Sequence, residues 1–423
     1  MKLTRMIFHD YFLPIFLLLT LALLSGCNAS KSNTSFDDVH ALRQLVTTNT
    51  NLSRTIMWNS NREYSSLQVE YRLKGSDKML HQSAQAEKFV DDKVTYYIYT
   101  AELTALEPQK EYEYRISNGQ AQGAWHTLQT GDGASFSALI FPDTQSADYS
   151  GVQRLAHQAW TSHKDAQLYI SMGDLVDNGE DKQQWQGWFD AMTGLRENIP
   201  LAAVMGNHET YNLAWKVRQP AAFTHFFHFP TNGNNNYANQ FYAFDYGQVH
   251  FTVVDTQFKE EEAWQPNLSA DEIAWLQQDL ANTKQPWKIV LLHKDPLQYA
   301  FANRPQTPRE EGFSSEGRLL MPLFDKYGVD VVLSAHLHTY RRRGTIKNFR
   351  RADQGPYYIL TGVAGDVRYP NLWRQHHLDE FVAPQPEKNN YLVLEATPAR
   401  LTFTCFAAEG QLIDKAVITK NND

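Results

Sequence analysis

Residues 136–172, FSALIFPDTQSADYSGVQRLAHQAWTSHKDAQLYISM, contain two continuous apolar runs on either side of a segment with helical periodicity. The runs FSALIF (136–141) and AQLYISM (166–172) are typical of strands that are buried on both faces. Between them, apolar side chains recur at helical spacing and form one stripe, made of Val152, Leu155, Ala156, Ala159 and Trp160. A buried strand, a helix and a second buried strand indicate a layered α/β domain.

The same pattern continues along the chain. WQGWFDAM (185–192) is a second amphipathic segment and LAAVM (201–205) a third apolar run. The segments 241–255 and 391–413 alternate around turns and predict hairpins, so we expect mixed sheets. SADE (269–272) has the form of a capping box and predicts the start of a later helix.

Residues 39–132 have a different period. Short runs such as LQVEYRL (67–73) and TYYIYTAEL (95–103) alternate with turn residues, and no helix is indicated. This predicts an all-β sandwich ahead of an α/β domain at 133–423. LEPQKEYEYRI (106–116) is similar to the leucine–proline–tyrosine corner of fibronectin type III domains, with Tyr112, Tyr114 and Ile116 on one side of a strand.

The first 26 residues form a processing signal. Lys2 and Arg5 precede an apolar run at 11–24, which is shorter than the roughly 20 residues that span a bilayer. LSGC (24–27) follows and resembles a bacterial lipobox, which implies cleavage before Cys27, acylation of its sulfur, and a polar tether over 27–38. We therefore predict an exported protein anchored by lipid, at the outer membrane facing the periplasm or the cell surface. The alternative is an ordinary secretory signal with a nearby cysteine.

The overall charge limits the class of partner. The 423 residues carry a formal charge of -8, which argues against a nucleic-acid platform, because binding to the phosphate backbone requires a basic face. A small anionic substrate in a locally cationic pocket is compatible with this charge. The sequence leaves the oligomeric state open.

Polar side chains follow five of the predicted strands. They are Asp143 and Gln145 in PDTQ, Asp174 and Asp177 in GDLVD, Asn207 and His208 in GNHE, His293 in HKDP, and His336 and His338 in AHLH. The carboxyl ends of strands in a layered α/β domain meet at one edge, where ligands bind. Carboxylate, amide and imidazole groups without thiolate favour Mn, Fe, Zn or Ca. A carboxylate such as Asp174 can bridge two ions about 3.5–4 Å apart, the arrangement that promotes displacement at phosphorus.

The series D-x-Q, GDLVD, GNHE, H and AHLH resembles the signature of calcineurin-like metallophosphoesterases. WKIVLLHKDP, HLHTYRRR and LTGVAG are similar to segments of the purple acid phosphatase branch, which also carries a fibronectin-like N-terminal domain. The resemblance implies an α/β/β/α catalytic domain and a site for two divalent or trivalent metal ions. Asp143 and His338 would bind the first ion, Asp174 would bridge, and Asn207, His293 and His336 would bind the second.

The resemblance also implies that His208 contacts the phosphate and serves the leaving oxygen. Gln145 stands where many members have histidine, which predicts a weaker ligand for the first ion. Asp177 replaces the tyrosine that colours the purple enzymes, so no purple absorption band is expected. Arg341, in the run that follows the last ligand, is a candidate phosphate contact, although arginine runs usually face solvent.

The predicted function is phosphomonoester hydrolysis of the acid phosphatase type, in which a hydroxide that bridges the two ions attacks phosphorus. Two alternatives remain at this point. One is a phosphodiesterase for nucleotides or lipid head groups, and the other is a surface lipoprotein that binds without catalysis.

Overall fold

The computed structural model describes residues 38–420, except residues 92, 132, 232 and 305. The predicted signal peptide, Cys27 and the tether as far as residue 37 lie outside the described residues. Within the described part, no helix is both long enough and apolar enough to cross a membrane.

The N-terminal part is a β-sandwich, as predicted. Its strands are β1 (His40–Leu45), β2 (Arg54–Ser60), β3 (Gln68–Leu73), β4 (Leu80–Ser83), β5 (Gln85–Asp91), β6 (Val94–Leu103), β7 (Glu111–Ser117) and β8 (His126–Gln129). The order β4-β3-β7-β8 forms one sheet, and β1-β2-β6-β5 faces it across an apolar core. The tyrosine corner is confirmed, because the Glu107 amide donates to Tyr112 Oη at 2.9 Å.

The C-terminal part contains the remaining elements. Its strands are β9 (Phe136–Phe141), β10 (Leu168–Ser171), β11 (Pro200–Ala203), β12 (Tyr242–Tyr246), β13 (Val249–Val254), β14 (Trp287–Leu292), β15 (Leu297–Gln298), β16 (Gly312–Phe313), β17 (Val331–Ser334), β18 (Thr339–Lys347), β19 (Arg350–Arg351), β20 (Tyr357–Gly362), β21 (Phe381–Val382), β22 (Asn390–Thr397), β23 (Arg400–Ala407) and β24 (Leu412–Thr419). Its α-helices are α1 (Ser150–Ser162), α2 (Lys182–Ala191), α3 (Ala221–Phe226), α4 (Phe258–Glu261), α5 (Leu268–Asn282) and α6 (Ser315–Tyr327). Short 3₁₀ helices cover His208–Thr210 and Asn235–Tyr237.

Two mixed sheets pack against each other and carry helices on their outer faces. One has the order β24-β23-β22-β9-β10-β11-β1-β2-β6-β5, and the other has β12-β13-β14-β17-β20-β18-β19. Strand β14 shows the layering, because Ile289 and Leu291 pack toward the first sheet while Val290 and Leu292 pack against α5 and α6. The predicted α/β/β/α arrangement with mixed sheets is therefore confirmed.

The first of these sheets crosses from one domain into the other. Strand β1 runs parallel to β11, with Gln44 opposite Pro200 and Leu45 opposite Leu201. Side chains reinforce the junction, since the buried Arg43 donates through Nε to Phe226 O at 2.8 Å. One sheet of the sandwich is consequently continuous with the α/β sheet, so the sandwich is not an independent domain joined only by a linker.

The helical stripes predicted for α1 and α2 are confirmed by their buried residues, but the predicted capping box is wrong. Helix α5 begins at Leu268, one residue before Ser269, and its N-cap Asn267 makes no side-chain cap. Glu272 is fully buried and accepts the backbone N–H of Asp255 at 2.6 Å. The carboxylate that the motif assigns to the helix terminus therefore serves a neighbouring strand end.

Candidate metal centre

The five predicted strand ends meet at one edge between the two sheets. Strands β9, β10 and β11 run parallel in one sheet, and β14 and β17 run parallel in the other, so their carboxyl ends point the same way. Four of the predicted ligands adopt left-handed backbone conformations, with φ of 22° at Asp143, 48° at Asp174, 74° at His336 and 52° at His338. Such conformations are costly for non-glycine residues and concentrate at functional sites.

Asp174 lies at the centre of the cluster and belongs to two groups of ligand-competent atoms. One group combines it with His293 and His336, and the other with Asp143 and His338. Within each group the ligand atoms lie within 4.8 Å of one another. This is the arrangement expected of two metal ions that share one carboxylate.

The histidines present the nitrogen that a metal requires. His293 Nδ1 lies 2.9 Å from Met172 O and His338 Nδ1 lies 2.9 Å from Val367 O, so each ring donates to a carbonyl through Nδ1 and turns Nε2 toward the cluster. His293 Nε2 then faces Asp174 Oδ2 at 3.1 Å and Asn207 Oδ1 at 3.2 Å. His338 Nε2 faces Asp143 Oδ1 at 3.6 Å.

Unpartnered atoms support metal binding at both groups. His336 Nδ1 and Gln145 Oε1 are buried and have no hydrogen-bond partner among the described residues. A buried polar atom left in this way costs free energy unless a bound ion or water satisfies it. Acceptors made only of oxygen and imidazole nitrogen fit Mn, Fe, Zn or Ca. The residues present therefore fit two metal ions.

The pKa values of these side chains indicate a cluster that is suited to binding cations. Burial alone would raise the pKa of Asp174, but His293 and His208 outweigh it and hold that pKa below its usual range. Burial raises the pKa of Asp143 well above its ordinary value. Burial lowers the pKa of His338 to about 4, which keeps this imidazole neutral and able to bind a cation.

His208 lies at the exposed side of the cluster. Its backbone N–H donates to Asp174 Oδ1 at 3.0 Å, and its Nδ1 lies 2.8 Å from Asp177 O. Its Nε2 lies 4.0 Å from Asp174 Oδ2 and 3.3 Å from Gln145 Nε2. Burial lowers the pKa of His208, but Asp174 and Asp177 outweigh it and raise the pKa to about 10. The imidazole can therefore hold a proton beside the candidate metal groups.

Glu209 organises the two loops that carry Asp174 and Asn207. Its carboxylate accepts four backbone N–H groups, from Asp174, Leu175, Val176 and Gly206, at 2.7–3.2 Å. Glycine is required at the turn itself, because a Cβ on Gly206 would lie 2.2 Å from Asp174 Oδ1. The motif GNHE thus contains one turn residue, one candidate ligand, one proton-bearing group and one structural carboxylate.

Arg341 occupies a different environment from the one predicted for a phosphate contact. It is buried, its Nη1 pairs with Asp379 Oδ2 at 2.7 Å, and its guanidinium covers the ring of Tyr299. A carboxylate of its own chain therefore already neutralises its charge. A phosphate contact by Arg341 stays a prediction, and the ion pair with Asp379 argues against it.

Sequence reasoning missed the aromatic residues around the cluster. Tyr211 and Trp215 place their rings edge-on to His208, with centroids 5.4 and 5.8 Å away. Tyr369 lies against His338 at 4.8 Å. These residues stand in loops without periodicity. Only the exposure of Trp215, 57%, marks it as unusual, and exposure is not visible in a sequence.

Comparison with known proteins agrees with this geometry. Residues 136–340 match the model of the calcineurin-like phosphoesterase family, and residues 42–130 match the N-terminal domain of purple acid phosphatases. The chain therefore carries a calcineurin-like phosphoesterase domain preceded by a purple acid phosphatase N-terminal domain.

Curated relatives and solved structures point to the same branch. Acid phosphatase type 7 of Mus musculus is 26% identical over 70% of this chain and 73% of its own length. Purple acid phosphatase 15 of Arabidopsis thaliana is 28% identical over 48% of this chain, and the match spans 36% of that protein. The fold is that of the purple acid phosphatase PPD1 from yellow lupin seeds, with a TM-score of 0.73 at 19% identity, covering 91% of this chain and 75% of the other.

Proposed function

We propose that this protein is a metal-dependent phosphomonoesterase of the acid phosphatase type. The observation that carries the proposal is the pair of ligand groups that share Asp174, with His208 beside them. The names of the relatives, acid phosphatases and purple acid phosphatases, support the same reaction. The aligned parts span 36% to 59% of four purple acid phosphatases of Arabidopsis thaliana, so the activity is inferred from the site together with the similarity.

The chain's own residues divide the work of the reaction. Two bound cations would supply positive charge for the phosphoryl oxygens and Lewis acidity toward water. One ion would be held by Asp143, Gln145 and His338. The other ion would be held by Asn207, His293 and His336, and Asp174 would bind both ions. His208 carries the proton that the leaving alcohol requires, and Asp177 O fixes the orientation of its ring.

The identity of the two ions is a separate proposal. Asp177 lies 3.2 Å from His208 Nδ1, at the position where purple enzymes have a tyrosine ligand. We propose a pair drawn from Fe, Mn, Zn or Ca that lacks the purple absorption band, with the ion beside Gln145 held more weakly. Elemental analysis of the purified protein and its visible spectrum test this directly.

The test of function begins with metal-stripped protein that is resupplied in turn with Mn, Fe, Zn and Ca. The substrates are 4-nitrophenyl phosphate and bis(4-nitrophenyl) phosphate, so the rates separate monoester from diester hydrolysis. We expect metal-dependent release of phosphate from the monoester. A faster diester reaction would establish a phosphodiesterase instead. No turnover on either ester with two metals bound would favour a binding protein.

We also propose that the protein is exported and held to a membrane by acylated Cys27. The support is the LSGC motif after a short apolar run. Metabolic labelling with a palmitate analogue should mark the wild type and not Cys27→Ser, which should also leave the membrane fraction. Labelling of Cys27→Ser at the wild-type level would exclude this anchor.

A further inference from the structure

A surface cleft of about 540 Å³ lies apart from the candidate metal centre. Three segments border it: residues 219–225, which include most of α3, residues 235–240, and residues 264–267, which precede α5. None of the proposed metal ligands lines it, and neither does His208. Its size falls within the roughly 300–1,000 Å³ of small-molecule sites. We call it the amide cleft, after the six amide residues of its lining, Gln219, Asn235, Asn236, Gln240, Gln265 and Asn267.

Hydrogen bonds between side chains and backbone hold the three segments of the amide cleft together. Gln265 Nε2 donates to Asn236 O at 2.9 Å and to Gln240 Oε1 at 2.8 Å, which joins the second segment to the third. Asn239 Nδ2 donates to Thr224 O at 2.8 Å and ties the second segment to α3. A site that is already formed loses little conformational freedom when a ligand binds.

Four amide side chains of the cleft are available to a ligand. They belong to Gln219, Asn235, Asn236 and Asn267, which are all exposed. Within the described part of the chain, none of these four side-chain amides forms a hydrogen bond. Each amide offers two N–H donors and one carbonyl acceptor. A hydroxyl group both donates and accepts, so a ligand with several neighbouring hydroxyls matches this set.

Trp264 provides an aromatic surface in the same cleft. It is half-buried, and among the described residues no aromatic ring or cation lies against it. Its situation differs from that of Trp275 on α5, whose ring packs against Phe241 with centroids 4.9 Å apart. The indole ring of Trp264 therefore offers apolar surface and a polar N–H to a ligand in the cleft.

The lining of the amide cleft carries little charge. No Asp, Glu, Lys or Arg is among the described residues that line it. His225 pairs with Glu87 at 2.6 Å and stacks on Phe89, so its charge is compensated when it is protonated. A charged ligand would lose hydration in the cleft without gaining a partner of opposite charge. The cleft therefore suits a neutral, polar ligand.

We propose that the amide cleft binds a neutral oligosaccharide. A pyranose ring has a face of C–H groups that can pack on Trp264 and a rim of hydroxyls that can exchange hydrogen bonds with the amides. Peptides are usually recognised by a free strand edge, an apolar helix groove or a charged cluster. None of the three segments contains a strand, and the lining is rich in amides instead.

The experiment measures oligosaccharide binding to the metal-loaded full chain by calorimetry. The probes are four neutral oligosaccharides (cellohexaose, maltohexaose, laminarihexaose and chitohexaose), beside the acidic hexamer of galacturonic acid. We expect saturable binding of at least one neutral probe and weaker binding of the acidic one. Binding of no neutral probe, or tighter binding of the acidic hexamer, would overturn the proposal.

Substitutions in the cleft locate the binding. Trp264→Ala should weaken binding of the neutral probe about tenfold, because the stacking surface is lost, while Trp264→Phe should retain part of it. Asn235→Ala combined with Asn236→Ala should also cost about tenfold, from two lost hydrogen bonds. The matched control is Trp215→Ala, which removes an exposed indole that lies outside the lining and should bind as the wild type does.

Hydrolysis of 4-nitrophenyl phosphate shows whether each variant is folded and whether the two sites are separate. Trp264→Ala should keep the wild-type rate, since no proposed ligand lines the cleft. Unchanged oligosaccharide binding in both Trp264→Ala and the double asparagine variant would overturn the assignment to this cleft. Failure of the wild type to hydrolyse the phosphate ester would contradict the phosphatase proposal and leave the binding result standing.

Discussion

Two buried acidic clusters lie at the carboxyl edge of the sheets, and their neighbours differ. In the metal-facing cluster, Asp143 and Asp174 are surrounded by the imidazoles of His293, His336 and His338. In the proton-holding cluster, Asp255, Glu261 and Glu272 have no imidazole among them. Their partners are amides: Gln240 Nε2 donates to Asp255 Oδ2 at 3.2 Å and to Glu261 Oε2, while Lys294 pairs with Glu260 instead.

The pKa of Asp174 follows this difference, whereas burial still raises the pKa of Asp143. Burial raises the pKa of Asp255 to about 7, that of Glu261 to about 10 and that of Glu272 well above its usual value. In the other cluster, His293 and His208 reverse the effect of burial on Asp174. Burial of carboxylates is therefore not by itself the mark of a metal site. A metal site is indicated when buried carboxylate oxygens are also faced by imidazole nitrogens.

The substitution with the largest expected effect on activity distinguishes the two clusters directly. Asp174→Asn removes the carboxylate common to both ligand groups, and we expect kcat/KM for 4-nitrophenyl phosphate to fall roughly 1000-fold or more. Elemental analysis should show that metal content falls as well. Glu272→Gln, at an equally buried carboxyl, is the control and should retain activity within about twofold. Similar losses in both variants would contradict the distinction.

His208→Ala should have the next largest effect. Loss of a proton donor costs about 10²- to 10⁴-fold in kcat. Metal content should stay at the wild-type value, because His208 is not among the proposed ligands. His157→Ala, an exposed histidine of α1, is the matched control. Loss of metal in His208→Ala would show that this residue is a ligand and not a proton donor.

The proton-holding cluster predicts a pH dependence of stability. Its folded-state pKa values are raised, so the folded protein keeps protons that the unfolded chain loses above about pH 4.5. Unfolding then releases protons, and the free energy of unfolding should fall as the pH rises from 5 to 8, by about 1.4 kcal/mol per pH unit for each group that keeps its proton only in the folded state. Urea denaturation at several pH values measures this slope.

Glu272→Gln tests the origin of that slope. The amide oxygen can still accept from the Asp255 N–H, but the group no longer titrates. We expect a shallower fall in stability than in the wild type over the same pH range. An unchanged slope would assign the pH dependence to other groups.

The smallest effect concerns the weaker metal position. Gln145 directs Nε2 toward Asp177 Oδ1 at 3.4 Å, while its Oε1 has no hydrogen-bond partner in the described part of the chain. Gln145→His supplies a stronger ligand and should tighten binding of one ion about tenfold, as measured by competition with a chelator. Gln145→Ala should weaken the same ion and leave the other unchanged. Equal shifts at both positions would argue against the assignment.

Local patterns in the sequence predicted much of the fold and the centre of the site. Apolar runs followed by Asp174, Asn207 or His336 are local signals, and parallel strands bring their ends together by geometry. The failures involve partners distant in sequence. The sequence predicts Glu272 as a helix cap, but in the fold it accepts a hydrogen bond from the backbone of Asp255. The sequence predicts Arg341 as a phosphate contact, but in the fold it pairs with Asp379. Phe301 and Trp373 likewise stack on each other from segments that share no period.

The pairing of β1 with β11 limits how the chain can be divided. Strand β11 leads directly into Asn207 and His208, and on one side its hydrogen bonds go to β1. A chain that starts at residue 136 would expose this strand as an open edge, and open edges template association with other chains. The sandwich thus covers the edge of the strand that precedes His208, and joining it to an unrelated α/β domain would require a matched strand register.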